Sequence, residues 1–403
     1  MSLSQYINRV EPSSTMAISA KAAAMKREGI DVIALSAGEP DFDTPQNIKD
    51  AGIRAITEGF TKYTSPASGI MELKSAICKK FLEDNDLHFT PDQIIVNCGA
   101  KHSLYLGVAA VLNPGDEMIV PTPYWVTFTE QPKLVGANSV VVQTRQEDGL
   151  KLTPQALRAA ITPRSRMLLL NSPSNPSGAV YTREELEALA AVAVEHELYV
   201  LSDEIYEKLV YDDTAHVSIG SLGDEIKRLS IIVNGASKAY AMTGWRIGYI
   251  GADPEIVAAM DKAQSQTVSH PTSMSQKAAL EALTGPQDMV EMMRREYDKR
   301  RCYIVDRLNN IEGVDCKLPL GAFYVYPEVS SYFGACYEAA GGTRTVTDST
   351  SLCEYLLEVG NVACVPGAGF GTVEHIRLSY ATSINNIQRA MDRIELALSS
   401  LER

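Results

Sequence analysis

The sequence predicts an α/β protein in which a large unit, built on a mostly parallel sheet sandwiched by helices, is followed by a smaller α+β unit. Three observations carry this. Between residues 93 and 250, short apolar runs without polar alternation are separated by helical patterns, as strands buried on both faces of a parallel sheet require. After Gly285-Pro286 the pattern changes to one long charged helix and then to mixed strands and helices. At 403 residues the chain can bury two substantial cores. The expected division is an N-terminal arm over 1–12, a large unit over 47–285, and a small unit made of 13–46 together with 286–403.

Taken in order, residues 13–28 begin with the hydroxyl caps Ser13-Ser14-Thr15, continue in helix formers and stop at Gly29, which predicts a helix. The run Val32-Ile33-Ala34-Leu35 leads into Ser36-Ala37-Gly38-Glu39-Pro40, too rich in glycine and proline to be regular. Glycine at 38 lets backbone approach a ligand closely. Helices are expected over 47–58 and 69–83; between them Tyr63 reads, by itself, as a half-buried loop tyrosine. Strand 94–96 leads through the turn Cys98-Gly99-Ala100-Lys101-His102 into a helix over 103–112. A turn of that kind presents free backbone N–H groups and the positive end of a helix dipole to a phosphate.

Further strands are expected at 117–120, 139–143, 167–170, 199–201, 230–233 and 247–250, with helices over 124–135, 153–161 and 183–196 among them. In the C-terminal part, strands are expected at 321–326, 362–365 and 375–379. Helices are expected from 286 towards 309, over 349–357 and over 385–398.

Composition narrows the function. A hydrophobic fraction of 45% and a charged fraction of 22% describe an ordinary globular protein. The formal net charge of -13 argues against nucleic acid or an anionic membrane surface as partner, because both reward basic patches. The first residues lack a basic start and an apolar stretch, and no apolar run is long enough to span a bilayer, so a cytoplasmic protein is expected. Seven widely spaced cysteines form no C-x-x-C pair, and six scattered histidines form no H-x-x-x-H pair. Free thiols and no metal site are therefore expected.

The chemistry centres on Ser237-Lys238-Ala239-Tyr240-Ala241-Met242-Thr243-Gly244-Trp245-Arg246, which follows an apolar strand and the turn residues Asn234 and Gly235. A partly enclosed lysine with a lowered pKa can join an aldehyde as a Schiff base. The guanidinium of Arg246 suits a phosphate. With Ser237, these residues could hold an aldehyde that carries phosphate, which describes pyridoxal phosphate.

Four other segments stand at strand ends or on a strand. Asp203 follows strand 199–201, at the carboxyl edge where open parallel sheets hold ligands, and a carboxylate there can keep a pyridine nitrogen protonated. Tyr206 follows three residues later, where a helical turn would bring its hydroxyl alongside; an acidic cap beside a core tyrosine is the plainer alternative. Asn175, in the proline-pinned Asn171-Ser172-Pro173-Ser174-Asn175-Pro176-Ser177-Gly178, can donate an amide hydrogen to a ring hydroxyl oxygen or a substrate carboxylate. Trp125 offers a flat indole that can either stack on a flat cofactor or pack in the core. Arg377 sits on a strand whose alternation turns a charge away from its apolar neighbours, and its fork matches an α-carboxylate.

The pattern S-K-x-x-x-x-x-G-x-R at Ser237, Lys238, Gly244 and Arg246 resembles the pyridoxal-lysine motif of the class I aminotransferases. Asn175-Pro176-Ser177-Gly178 resembles their N-P-x-G motif, with serine where threonine is common, and Arg377-Leu378-Ser379-Tyr380 resembles their R-x-S-[YF]. The resemblance runs from about Val10 to the C-terminus.

It implies the fold type I transferase architecture, pyridoxal 5'-phosphate as cofactor, and a homodimer with two sites at the subunit boundary. It implies that Tyr63 reaches the cofactor phosphate of the other subunit, that Gly99, Ala100 and Lys101 lie at the phosphate, and that Trp125 covers the pyridine face. Gly38 and Arg377 would then meet the substrate carboxylate. The branch it points to comprises aspartate and glutamate-prephenate aminotransferases, in which a lysine at 101 and a Ser/Thr-rich segment such as Ser13-Ser14-Thr15 serve a distal carboxylate. Aspartate or glutamate and a 2-oxo acid such as 2-oxoglutarate are the implied substrates, exchanged by double displacement, with prephenate as a second acceptor. Some plastid relatives carry lysine where Ser14 stands, which bears on prephenate use. Aromatic or broad-specificity transfer, elimination and decarboxylation on the same scaffold remain alternatives. Aminotransferase-like regulators add a DNA-reading helix-turn-helix domain, for which this acidic chain has no room.

Overall fold

The computed structural model describes residues 3–12, 14–339 and 342–402, without the side chains of residues 14–17 and 19. Its largest sheet has seven strands: β1 (Ile94–Asn97), β2 (Glu117–Pro121), β3 (Asn138–Val142), β4 (Ser165–Asn171), β5 (Tyr199–Asp203), β6 (Ser230–Gly235) and β7 (Gly248–Gly251). They lie in the order β1-β7-β6-β5-β4-β2-β3. Pairings among β6, β5, β4, β2 and β3 are parallel, whereas β7 runs antiparallel to both of its neighbours.

The lack of alternation in these strands has a direct cause. Successive side chains point to opposite faces, and both faces are covered. Ile94, Val96, Leu168, Leu170, Val200 and Ile232 join one apolar cluster, while Ile95, Leu169, Leu201, Ile231 and Val233 join another across the sheet. Only β3 departs from this pattern: it forms the edge and is partly exposed. The expected strand at 139–143 is thus found, displaced by one residue.

Helix boundaries follow local chemistry. The helix Arg183–Glu195 is opened by Thr182, whose hydroxyl accepts from the N–H of Glu185 while the Glu185 carboxylate accepts from the Thr182 N–H. The helix Ala100–Val111 begins directly after Gly99, three residues before the position expected. The helix expected over 124–135 is shorter, Thr127–Leu134, because a turn occupies the residues around Pro123. Two helices, Pro254–Thr267 and Ser273–Thr284, were not anticipated at all. The first is opened by Asp253, which accepts from the Glu255 N–H, so a capping signal was present.

A second sheet of three antiparallel strands (Val365–Pro366, Ile376–Ser379 and Tyr324–Val325) packs with the helices Asp288–Asn309, Ser349–Glu358 and Ile384–Ser399 around a further core. Ile33–Ala34 pairs in parallel with Val362–Ala363, which joins the N-terminal run to this C-terminal region. Tyr206, Leu209 and Tyr211, from the segment after β5, enter the same core.

Candidate active site

Parallel pairing puts the carboxyl ends of β2, β4, β5 and β6 on one edge of the large sheet. β1 shares their direction, being antiparallel to β7, which is antiparallel to β6. The residues just beyond those ends are Gly99 after β1, Trp125 after β2, Asn175 after β4, Asp203 at the end of β5 and Lys238 after β6. Arg246 stands two residues before the start of β7, on the same edge. Open parallel sheets hold ligands at such an edge, and here it lines a cavity of about 600 Å3.

Lys238 is half-buried on the cavity wall and donates from Nζ to the carbonyl oxygen of Gly38 at 2.5 Å. Burial lowers its pKa from the ordinary 10.5 to about 8, and the positive charge of Arg377 pushes the same way, against Glu39 and Asp203. Asp203 is buried, and its Oδ1 accepts from the Ile205 N–H at 3.2 Å. Burial raises its pKa to about 7, more than that hydrogen bond and the Lys238 charge pull it down.

The Tyr206 hydroxyl lies 2.8 Å from that of Tyr324, on the smaller sheet. Burial, and then the neighbouring phenol, push Tyr206 well above the ordinary value. Its partner is therefore a residue far along the chain.

Arg377 stands on a strand whose four residues are all buried, so its charge is enclosed rather than solvated. Nη1 donates to Asn175 Oδ1 and Nη2 to the carbonyl oxygen of Ser36, both at 2.9 Å. Its guanidinium stands 4.4 Å from the ring centre of Tyr324. Nε is buried and has no hydrogen-bond partner among the described residues. A buried cationic donor left open in this way is the hallmark of a site for an anion.

At the other end of the cavity, Gly99 has φ +83°, and a Cβ there would stand 2.7 Å from Cζ of Arg246. The positive φ favours glycine, and a side chain here would displace the Arg246 guanidinium. Arg246, itself at φ 57°, donates from Nη1 to the Thr243 carbonyl oxygen at 2.9 Å, which aims the fork across the first turn of the helix Ala100–Val111. Gly248 faces that same turn: a Cβ on it would lie 2.5 Å from the carbonyl carbon of Gly99 and 2.9 Å from Cα of Ala100. Ser237 is buried and lines the same cavity.

The Lys101 ammonium stands 4.6 Å from the centre of the Trp125 indole, a cation–π contact. Weak solvation in this corner and the charge of Arg246 lower its pKa. Trp125 is half-buried, with one edge against Phe128 at 5.6 Å.

Gly38, Ala100, Lys101, Trp125, Asn175, Asp203, Tyr206, Ser237, Lys238, Arg246 and Arg377 thus share one cavity wall. Gly99 stands behind Arg246. Tyr63 is outside the cavity and 88% exposed, unlike the half-buried tyrosine expected from its loop alone. Ser13 and the side chains of Ser14 and Thr15 lie outside the described residues. The cavity also includes Lys26, Asn171 and Tyr324, which sequence reasoning did not single out. Asn171, whose Oδ1 accepts from the Asn175 N–H at 2.8 Å, could have been found from its place in the same motif.

Glu204, Glu207 and His216 have metal-ligand spacing among the described residues, but their carboxylates are already engaged. Glu204 accepts from Ser202 and Ser218 at 2.8 Å and meets His216 at 3.1 Å, and Glu207 pairs with Lys80 and accepts from Asn85. The cluster is an internal polar network. All seven cysteines are unpaired, including Cys353 and Cys364, whose sulfurs are 3.3 Å apart. Among the described residues no helix is long and apolar enough to cross a membrane.

Residues 30–394 match the family model described as aminotransferase class I and II. The chain is 48% identical over 395 residues to aspartate aminotransferase of Bacillus sp. (strain YM-2), covering 98% of each chain. It is 47% identical over 400 residues to the aspartate/prephenate aminotransferase of Cereibacter sphaeroides, covering 99% of each. Its structure superposes on that of the aspartate aminotransferase from Rhizobium meliloti with a TM-score of 0.95, at 43% identity over the whole of both chains.

Proposed function

Because this chain belongs to the class I and II aminotransferases, with their fold type I architecture, we propose that it exchanges the amino group of aspartate or glutamate with 2-oxoglutarate or a similar 2-oxo acid. Prephenate is a second acceptor in this reading, supported by the name of the Cereibacter relative. The observation that carries the proposal is the single cavity that Lys238, Asp203 and Arg377 line together.

The donor set fits pyridoxal 5'-phosphate. The helix start at Ala100, Ser237 and Arg246 offer backbone N–H groups, a hydroxyl and a guanidinium to a phosphate. A Cβ at Gly99 would fill the place of the Arg246 guanidinium. Trp125 lines the cavity with a flat indole, Asp203 offers an anion for a ring nitrogen, and Lys238 an amine. When bound, the cofactor supplies an aldehyde for amines and a ring that takes up the electron pair released at the substrate α-carbon.

This chain's own residues do the rest. Arg377 and the amide of Asn175 bind and orient the substrate α-carboxylate beside Lys238. With a pKa near 8, Lys238 can take and return the α-proton close to neutral pH. Asp203, enclosed and anionic once a pyridine nitrogen shares its proton, holds that proton in place. The hydroxyl of Tyr206, held 2.8 Å from that of Tyr324, stands at the ring-oxygen end of the cofactor. Lys101 pairs with the distal carboxylate, and Thr15 is assigned to the same end. Two substrates use this one site in turn, so the first product leaves before the second substrate enters.

In this reading residues 47–285 form a large cofactor-binding unit and residues 13–46 with 286–403 a small one that closes over substrate. The parallel pairing of Ile33–Ala34 with Val362–Ala363 supports that grouping, with 1–12 as an arm. The protein works as a homodimer, Tyr63 of each subunit completing the other's phosphate site; its 88% exposure supports this. We place it in the cytoplasm, consistent with seven unpaired cysteines. The test is to incubate the cofactor-loaded protein with a panel of amino acids and 2-oxoglutarate and to measure the products. Efficient conversion of aspartate supports the proposal; turnover of aromatic amino acids without aspartate overturns it.

A further inference from the structure

The loop that carries Tyr63 is held by a histidine that the reading above leaves unused. His270 precedes the helix Ser273–Thr284, and its ring meets that of Tyr63 edge-on, with centroids 5.5 Å apart and planes at 89°. Nδ1 lies 2.6 Å from the Pro271 carbonyl oxygen. A carbonyl can only accept, so the ring proton is assigned to Nδ1. Nε2 then keeps its lone pair and accepts from the backbone N–H of Thr64 at 3.3 Å.

Gln276 braces the same turn, donating to the Pro271 carbonyl oxygen at 2.9 Å and to Thr64 Oγ1 at 3.4 Å, and accepting from the Ile70 N–H at 2.9 Å. Tyr63 is nonetheless 88% exposed. An exposed loop tyrosine loses rotamer freedom when it engages a ligand, and a side chain already confined loses less.

We propose that His270 is a positioning residue acting across the subunit boundary: it fixes the Tyr63 loop so that the tyrosine meets the cofactor phosphate of the neighbouring subunit. The proposal rests on the shared-site reading above. His270→Phe keeps a ring against Tyr63 and removes the acceptor from Thr64. His270→Gln places its side-chain oxygen as many bonds from Cβ as Nε2 is, and so keeps the acceptor.

The readout is a titration with pyridoxal phosphate, following the absorbance that borohydride fixes at Lys238, with dimerisation checked by sedimentation. His270→Phe weakens binding about tenfold, and His270→Gln stays close to wild type. Hybrid dimers locate the effect. When His270→Phe is paired with Lys238→Ala, the one site bearing Lys238 belongs to the His270→Phe subunit and receives an intact Tyr63 loop, so wild-type affinity returns.

Unchanged affinity in the His270→Phe homodimer overturns the proposal, as does a weakening by His270→Gln equal to that by His270→Phe. Hybrids of Tyr63→Ala with Lys238→Ala separate the two readings. If they recover affinity while the His270 hybrids do not, the cross-boundary role of His270 fails alone. If neither recovers, the shared site fails with it.

Discussion

Arg377 donates to Asn175 Oδ1 across 2.9 Å, although 202 residues separate them, and this bond ties the smaller sheet to the edge of the larger one. The bond also fixes the Asn175 amide with its oxygen on the arginine, leaving the NH2 group for a ligand. Lysine at 377 keeps the charge and loses the fork. We expect Arg377→Lys to lower kcat/KM for every amino acid by about 30- to 1000-fold, equivalent to about 2–4 kcal/mol. Steady-state kinetics on aspartate and alanine measure it, with thermal unfolding to confirm the fold.

Lys238→Ala should abolish both turnover and the borohydride-reducible visible absorbance. A variant that keeps either property would show that another amine does the work.

Asp203 gives a pH test that needs no substrate. Its carboxyl titrates near 7 in the folded, cofactor-free chain, against an ordinary 3.8. The folded state therefore binds this proton more tightly than the unfolded one. The carboxyl's contribution to stability is fully present below pH 3.8 and is lost as pH rises through about 7, at about 1.4 kcal/mol per factor of ten in proton affinity. Asparagine does not ionise. The Tm of cofactor-free Asp203→Asn should exceed that of wild type by a margin that widens from pH 5 to pH 8.5. A margin that stays constant or shrinks would count against the assignment. Cofactor-loaded Asp203→Asn should lose turnover by several powers of ten.

Lys101→Ala should cost aspartate far more than phenylalanine, by about 30-fold or more for a desolvated pair and by little if the charge is merely solvated. Measuring kcat/KM for both substrates checks this. Equal losses on the two would remove Lys101 as the distal-carboxylate ligand.

What the sequence made legible was local. Asp203, Asn175 and Lys238 each stand beside the end of an apolar run, and parallel strands bring such ends together without further information. Arg377 was recognisable by motif and by alternation, yet its burial was not, because the strand is covered on both sides and alternation no longer reports exposure. Tyr324 was invisible: its hydroxyl acts through Tyr206, 118 positions away, and no periodicity encodes that pairing. The helices Pro254–Thr267 and Ser273–Thr284 were missed although Asp253 and Thr272 precede them, since polar residues interrupt their apolar stripes. Tyr63 could be placed only through the family, for nothing within a single chain says what covers an exposed side chain.

The contact of Gly248 with the turn at Gly99 and Ala100 sets a limit on how this site can be redesigned. Backbone meets backbone there with no room for a methyl group, so the strand and the helix start behave as one solid piece. Codon randomisation around the cavity can vary Lys101, Lys26 or Trp125, which meet the cavity through side chains, and so alter which substrates are accepted. At position 248 the same library returns glycine alone, and specificity can drift while the Gly99 end of the site stays frozen.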